Sequence, residues 1–84
     1  MSEKPAHTKY QHLVQLANDI SHLFQSETNR EVVVSSVAKH IGSFWVPRMR
    51  QHIVVHLHAG GEGLSTLARE ALLRLAMDAA KESA

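Results

Sequence analysis

The chain has 84 residues, of which 44% are hydrophobic and 20% are charged, and its formal net charge is +1. This length allows one domain with a single core, and it is too short to enclose a deep active site. Because the chain has no cysteine, it has no disulfide, no thiolate nucleophile and no cysteine ligand for zinc or an iron–sulfur cluster. No apolar run reaches the ~18 residues of a membrane span, and the polar opening lacks the apolar segment of a signal peptide, so we expect a cytoplasmic protein.

The charged residues are unevenly distributed along the chain. The segment 32–61 has no acidic residue, whereas each of the two flanking segments has a formal charge of −1. The basic residues and histidines of this middle segment are Lys39, Arg48, Arg50, His40, His52, His56 and His58. Such a segment favours an acidic or anionic partner surface, but ordinary variation in surface charge explains it equally well.

Apolar residues recur with helical spacing along most of the chain, which predicts a small all-α domain of four helices joined by short loops. The helical domain is expected to cover residues 9–80. We expect a flexible N-terminal tail at residues 1–8 and a flexible C-terminus at residues 81–84.

The first two helices are predicted on either side of a polar break at residues 26–29. The first runs from about Thr8 to about Ser26, and its apolar half consists of Tyr10, Leu13, Val14, Leu16, Ala17, Ile20, Leu23 and Phe24. Thr28 and Glu31 have the spacing of a capping box at the start of the second helix. This helix runs to about Gly42 or Ser43, and its apolar face consists of Val33, Val34, Val37, Ala38 and Ile41.

The third and fourth helices are delimited by proline, glycine and serine. Pro47 suits the first turn of a helix, and Val46 before it marks the junction with the second helix. The third helix turns Met49, Ile53, Val54 and Leu57 toward the core. The glycine loop, which we define as residues 60–64, ends this helix, and Ser65 is placed to cap a fourth helix that runs from Thr66 to about Ala80.

The fourth helix is more apolar than is usual for a surface helix of a small monomeric protein. Its core face consists of Leu67, Ala68, Ala71, Leu72, Leu75, Ala76 and Ala79. Leu73 and Met77, four residues apart, fall on the opposite side. A helix that is apolar on all sides is usually buried, so we predict that a partner protein covers Leu73 and Met77.

The residues best suited to a specific contact are concentrated in the corner motif, which we define as Phe44–Arg50. It contains the only Trp of the chain together with two Arg, and these residue types dominate the energetics of protein interfaces. For Phe44 and Met49 we favour a place in the core. Trp45 is suited either to the core or to a partner contact, and we take it with Arg48 as a predicted contact. Arg50 leans toward the core side, where an ion pair or bonds to the backbone are expected.

Three kinds of chemistry compete with partner binding. His52 and His56 have a spacing that can chelate a metal, but no carboxylate nearby completes a site. The glycine loop lacks the spacing of a nucleotide-binding loop, and no nucleophile motif is present. The helices around the corner motif resemble a helix-turn-helix, but Arg48 and Arg50 point in nearly opposite directions on a helix. We therefore expect no metal, no catalytic residue and no nucleic acid.

Two stretches and a short run near the start of the fourth helix resemble the delta subunit of soluble NAD-dependent formate dehydrogenase. They are residues 40–50, the glycine loop, and the run Arg69-Glu70-Ala71. The family-motif positions are Phe44, Trp45, Pro47, Arg48, Met49, Arg50, Gly60, Gly61, Gly63 and Leu64. Residues 16–20 and Phe24 also fit the family. One position departs from the family pattern, because Val46 stands where an Asp commonly precedes the proline; the loss of such a cap typically costs ~1 kcal/mol.

The resemblance implies a non-catalytic accessory subunit of a cytoplasmic complex. It would bind the large catalytic subunit, which oxidises formate, and would support its assembly, cofactor insertion or stability. The implied complex uses a molybdenum or tungsten pterin dinucleotide, iron–sulfur clusters, FMN and NAD, none of which we expect this chain to bind. The predicted contacts are Trp45, Arg48, Leu73 and Met77. The alternative is a small free-standing helical module that binds nucleic acid or acts in regulation.

Overall fold

The computed structural model describes residues 5–83, with the side chains of residues 10–79 and 81. Four helices make up this part of the chain: α1 (Pro5–Leu23), α2 (Arg30–Phe44), α3 (Pro47–His58) and α4 (Thr66–Ser83). No strand occurs within residues 5–83, so the predicted all-α fold of four helices is confirmed.

Both outer helices extend further toward the chain ends than predicted, whereas α1 ends at Leu23 rather than near Ser26. α1 begins at Pro5, a residue suited to a first helical turn, and α4 continues to Ser83. The helices therefore extend into both segments that were predicted as flexible. Residues 1–4 and 84 lie outside the described part, and the flexibility of the two ends stays a prediction.

The core is formed by one face of each helix. The buried apolar residues are Leu13, Ala17, Ile20, Val33, Val34, Val37, Ala38, Ile41, Trp45, Ile53, Leu57, Leu64, Ala68, Ala71 and Leu72. α2 and α4 share the most extensive contact of the fold. The small side chains of Ala68 and Ala71, which are fully buried, allow α4 to approach its neighbours closely. The predicted apolar faces are thus largely correct, with two exceptions. Leu23 is 71% exposed because α1 ends there and the chain turns away, and Ala79 is exposed near the end of α4.

The cap of α2 differs from the prediction by one residue. The Asn29 side chain accepts a hydrogen bond from the Val32 N–H at 3.2 Å, so Asn29 rather than Thr28 is the N-cap. With Asn29 as the N-cap, Glu31 is one position too early for a capping box, and its carboxylate binds Arg74 of α4. At α4 the prediction is confirmed, since the Ser65 hydroxyl accepts a hydrogen bond from the Ala68 N–H at 3.1 Å.

Two ion pairs join the exposed edges of α2 and α4. Arg74 donates to both carboxylate oxygens of Glu31, at 2.8 and 3.0 Å, and Arg30 donates to Glu70. The hydrogen bond from Arg74, followed by its positive charge, lowers the pKa of Glu31 below its ordinary value. These pairs are exposed to solvent, so they define the register of α2 against α4 more than they stabilise the fold.

Candidate functional site

The corner motif forms the junction between α2 and α3. α2 ends at Phe44, and Trp45 and Val46 have extended backbone geometry, with ψ values of 138° and 155°. Pro47 then begins α3, as predicted, because its ring disfavours helical geometry at the preceding residue. The side chain of Val46 makes no capping bond, so packing and backbone bonds hold the junction.

The two aromatic residues of the corner motif have exchanged their predicted positions. Trp45 is buried with 6% of its surface exposed, whereas Phe44 is 74% exposed. Phe44 shares the helical spacing of the buried residues of α2, but it is the last residue of that helix. Trp45 has left helical geometry, so its side chain does not follow the helical periodicity and turns into the core. The predictions of Phe44 as a core anchor and of an outward-facing Trp45 are both wrong.

The two arginines of the corner motif also differ in their contacts. The Arg50 guanidinium donates to the carbonyl oxygen of Trp45 and, at 3.3 Å, to that of Gly42, which confirms the predicted bonds to the backbone. These carbonyls belong to the end of α2, where the helix itself provides no donors and a cation is favourable. Arg48 is exposed and makes no ion pair or hydrogen bond with any described residue. Met49 packs against the core, as predicted.

The predicted contacts on α4 are exposed as expected. Leu73 is 44% exposed and Met77, one turn later, is 62% exposed. A shallow apolar groove of about 730 Å³ separates α3 from α4, and its lining includes Val54, Val55 and Ala76. Neither Leu73 nor Met77 lines this groove, but Ala76 lies next to Met77 in the chain and three residues after Leu73. Of the four predicted contact residues, Arg48, Leu73 and Met77 thus lie on the surface, and Trp45 does not.

Side chains outside the glycine loop form hydrogen bonds with the carbonyl oxygens of its first four residues, 60–63. Arg69 donates to the carbonyl oxygens of Gly60 and Gly61, at 2.8 and 3.1 Å, and Asn18 of α1 donates to that of Gly63 at 2.9 Å. A ring nitrogen of His56 lies 2.8 Å from the fourth, the carbonyl oxygen of Glu62.

The start of the glycine loop is the predicted helix stop. The N–H of Gly61 donates to His56 and that of Gly60 to Leu57, which is the bonding pattern of a Schellman motif. Gly60 and Gly61 have φ values of 121° and 63°, which side chains disfavour. A Cβ at Gly61 would also lie 2.8 Å from the Arg69 guanidinium. The loop is therefore a structural element.

Sequence reasoning missed the residues that hold the glycine loop. Asn18 appeared only within residues 16–20, which fit the family, yet its side chain also accepts a hydrogen bond from the Ser65 N–H at 2.9 Å and so links α1 to the start of α4. Arg69 appeared only within a short family-like run. The signal for Arg69 was its place near a loop with several unpaired carbonyls, but nothing in the sequence indicated Asn18.

The histidine pair of α3 faces Tyr10 of α1. The ring of His56 stacks on Tyr10 with a centroid distance of 5.5 Å, and that of His52 meets its edge at 6.0 Å. No group of three or more potential metal ligands occurs among the residues that the structure describes. Within the same residues, no helix has the length and apolar character needed to cross a bilayer.

Comparison with known proteins places these features in a family. The sequence model of the NADH-dependent formate dehydrogenase delta subunit FdsD matches residues 12–72, which include the corner motif and the glycine loop. The curated proteins and the solved structures contain no significant match. The match covers well over half of the 84 residues and confirms the resemblance seen in the sequence. The chain therefore belongs to the delta-subunit family of NAD-dependent formate dehydrogenase and is an accessory subunit of an oxidoreductase complex.

Proposed function

We propose that the chain binds the large catalytic subunit of a cytoplasmic NAD-dependent formate dehydrogenase and supports its assembly, cofactor insertion or stability. The observation that carries this proposal is the family match over residues 12–72, because a delta subunit associates with the other subunits of its enzyme. The surface of the chain supports it, since four helices of this small domain leave several large apolar side chains exposed.

The cofactors of the complex are assigned to its other subunits. Iron–sulfur clusters are held mainly by cysteine thiolates, and this chain has no cysteine. The histidines with metal-binding spacing are His52 and His56, and both contact Tyr10. Neither residue belongs to a group of three or more potential metal ligands within the described part of the chain. The role of the chain is accordingly a contact with protein.

Leu73 and Met77 are the proposed apolar part of this contact, and Arg48 is a proposed polar part. Leu73 and Met77 lie one helical turn apart, so a single apolar surface of the partner can cover both. Burying a large apolar side chain in full is worth about 1.5–3 kcal/mol, which makes a pair of this kind a useful anchor. Arg48 has no partner within the described residues, so its guanidinium is available to a carboxylate of the other subunit.

Co-purification of the large subunit with tagged chain tests the proposal. We expect wild-type chain to retain the large subunit and a Leu73→Ser, Met77→Ser variant to lose most of it. Val32→Ser is the matched control, because Val32 is 45% exposed on α2, close to the 44% of Leu73. Failure of the wild-type chain to retain the large subunit contradicts the proposed function. Equal retention by all three proteins removes Leu73 and Met77 from the interface.

A further inference from the structure

We propose that the surface around Phe44 binds an acidic segment of the partner that carries an apolar anchor side chain. This surface, the Phe44 face, is a shallow depression of about 450 Å³ lined by Phe24, Ser36, Lys39, His40, Ser43 and Phe44. The inference rests on the proposed function, because it specifies the chemistry of the segment through which the catalytic subunit is bound. It concerns a surface separate from Leu73 and Met77.

Phe44 supplies the apolar part of the Phe44 face. Its side chain is 74% exposed, although it is one of only two Phe in the chain. The ring is not isolated in solvent, because it packs on the ring of His40 with a centroid distance of 4.7 Å and an interplanar angle of 39°. Phe24, half-buried against the core, also lines the depression. An aromatic or branched aliphatic side chain suits a depression lined by two aromatic rings.

The polar groups of the Phe44 face select for negative charge. Lys39 makes no ion pair or hydrogen bond with any residue between 5 and 83, so its ammonium group is available to a partner. The hydroxyl groups of Ser36 and Ser43 likewise have no bond within that range. No acidic side chain lines the depression. Lys39 also lines the neighbouring groove between α2 and α4, which contains Asp78, but the two do not pair.

The end of α2 does not repel an acidic segment at this face. The carbonyl end of a helix has a partial negative charge, which disfavours a carboxylate nearby. Here Arg50 donates to the carbonyls of Gly42 and Trp45, so that charge is already compensated by a cation of the chain itself.

A second copy of the chain fits the Phe44 face poorly. In a two-fold symmetric dimer the same patch meets itself, so Lys39 would oppose Lys39 with no acidic side chain lining either surface. A nucleic acid would need several cations in a row, whereas Lys39 is the single Lys or Arg of the depression. An acidic protein segment with an apolar anchor satisfies both the ring pair and the ammonium group.

Zero-length cross-linking of the purified complex tests the chemistry of the partner directly. A carbodiimide joins a lysine amine to a carboxylate in contact with it, and peptide mass spectrometry identifies the pair. We expect Lys39 to be joined to an Asp or Glu of the large subunit. Lys81, which is exposed on α4 and does not line the depression, is the comparison lysine for this cross-link. A Lys39→Arg variant should retain the large subunit and lose this cross-link, because arginine keeps the charge but does not form the amide.

Binding measurements with two further variants complete the test. We expect Phe44→Ala and Lys39→Glu each to weaken retention about tenfold or more, with Val32→Ala unchanged. Both residues are exposed, so unfolding midpoints should match that of the wild type. If wild-type chain retains the large subunit but both variants do so equally well, or if Lys39 forms no cross-link, the inference fails and the proposed function stands. If wild-type chain does not retain the large subunit, both fail.

Discussion

The corner motif and the glycine loop contain the family-motif positions of this chain, but the structure uses the two segments differently. In the glycine loop the carbonyl groups of residues 60–63 all accept hydrogen bonds from within the protein, and Leu64 is buried. In the corner motif, Trp45, Met49 and Arg50 serve the fold, while Phe44 and Arg48 point to solvent. Some residues of the family motif thus hold the fold together, and others are exposed to solvent. Only the exposed ones are available for recognition.

Alanine substitutions of the two aromatic residues should give the largest difference in the free energy of unfolding within the corner motif. Trp45→Ala should lower the free energy of unfolding by about 3–5 kcal/mol, because it leaves a large cavity in the core. Phe44→Ala should change it by about 0.5 kcal/mol or less, since the side chain is 74% exposed. Urea unfolding followed by circular dichroism measures both values. Equal losses for the two variants would contradict the division of the motif.

The two arginines give a smaller contrast of the same kind. Arg50→Met keeps most of the apolar stem but leaves the carbonyls of Gly42 and Trp45 without their donor, which should cost about 2 kcal/mol. Arg48→Met is the matched control two residues earlier and should cost about 0.5 kcal/mol or less, because Arg48 makes no bond within residues 5–83. The same urea unfolding experiment measures both. A similar cost for Arg48→Met would assign that side chain to the fold.

The smallest expected effect concerns the glycine loop. Asn18→Ala removes the bonds to Gly63 and Ser65 and should lower the free energy of unfolding by about 1 kcal/mol. Amide hydrogen exchange within the loop should become faster by more than at the centre of α2, where a global loss of about 1 kcal/mol raises the exchange rate only about fivefold. Gln15→Ala is the control, because Gln15 lies one turn earlier on α1 and bonds only Asp19 at the surface. Unchanged exchange in the loop after Asn18→Ala would show that Arg69 and His56 hold it without Asn18.

Much of the fold could be read from local patterns. The number of helices, the proline start of α3, the serine cap of α4 and the exposure of Leu73 and Met77 all follow from spacing along one helix or from the geometry of single residues. The cap of α2 was assigned one residue too early, because Thr28 and Asn29 are both good caps and Glu31, on which the assignment rested, binds Arg74 of α4 instead. That interaction joins positions 43 residues apart, so no local pattern contains it.

The candidate site shows the same limit more sharply. Helical periodicity groups Phe44 with the buried residues of α2, but it does not show whether the last residue of a helix is covered, so Phe44 was assigned to the core. It also stops applying where the chain leaves helical geometry, so Trp45 was assigned to the surface. Arg50 was placed correctly, because its lean toward the core side follows from helical spacing within α3.

The sequence by itself determined the all-α class, the family and the surface character of α4, because each depends on residue type and short spacing. Only the tertiary structure decided which aromatic of the corner motif is free, and which residues hold the glycine loop. Those outcomes depend on the positions of helix ends and on contacts between segments far apart in the chain. Burial is a property of the whole packed domain, and in this protein it separates Trp45 from Phe44 at adjacent positions.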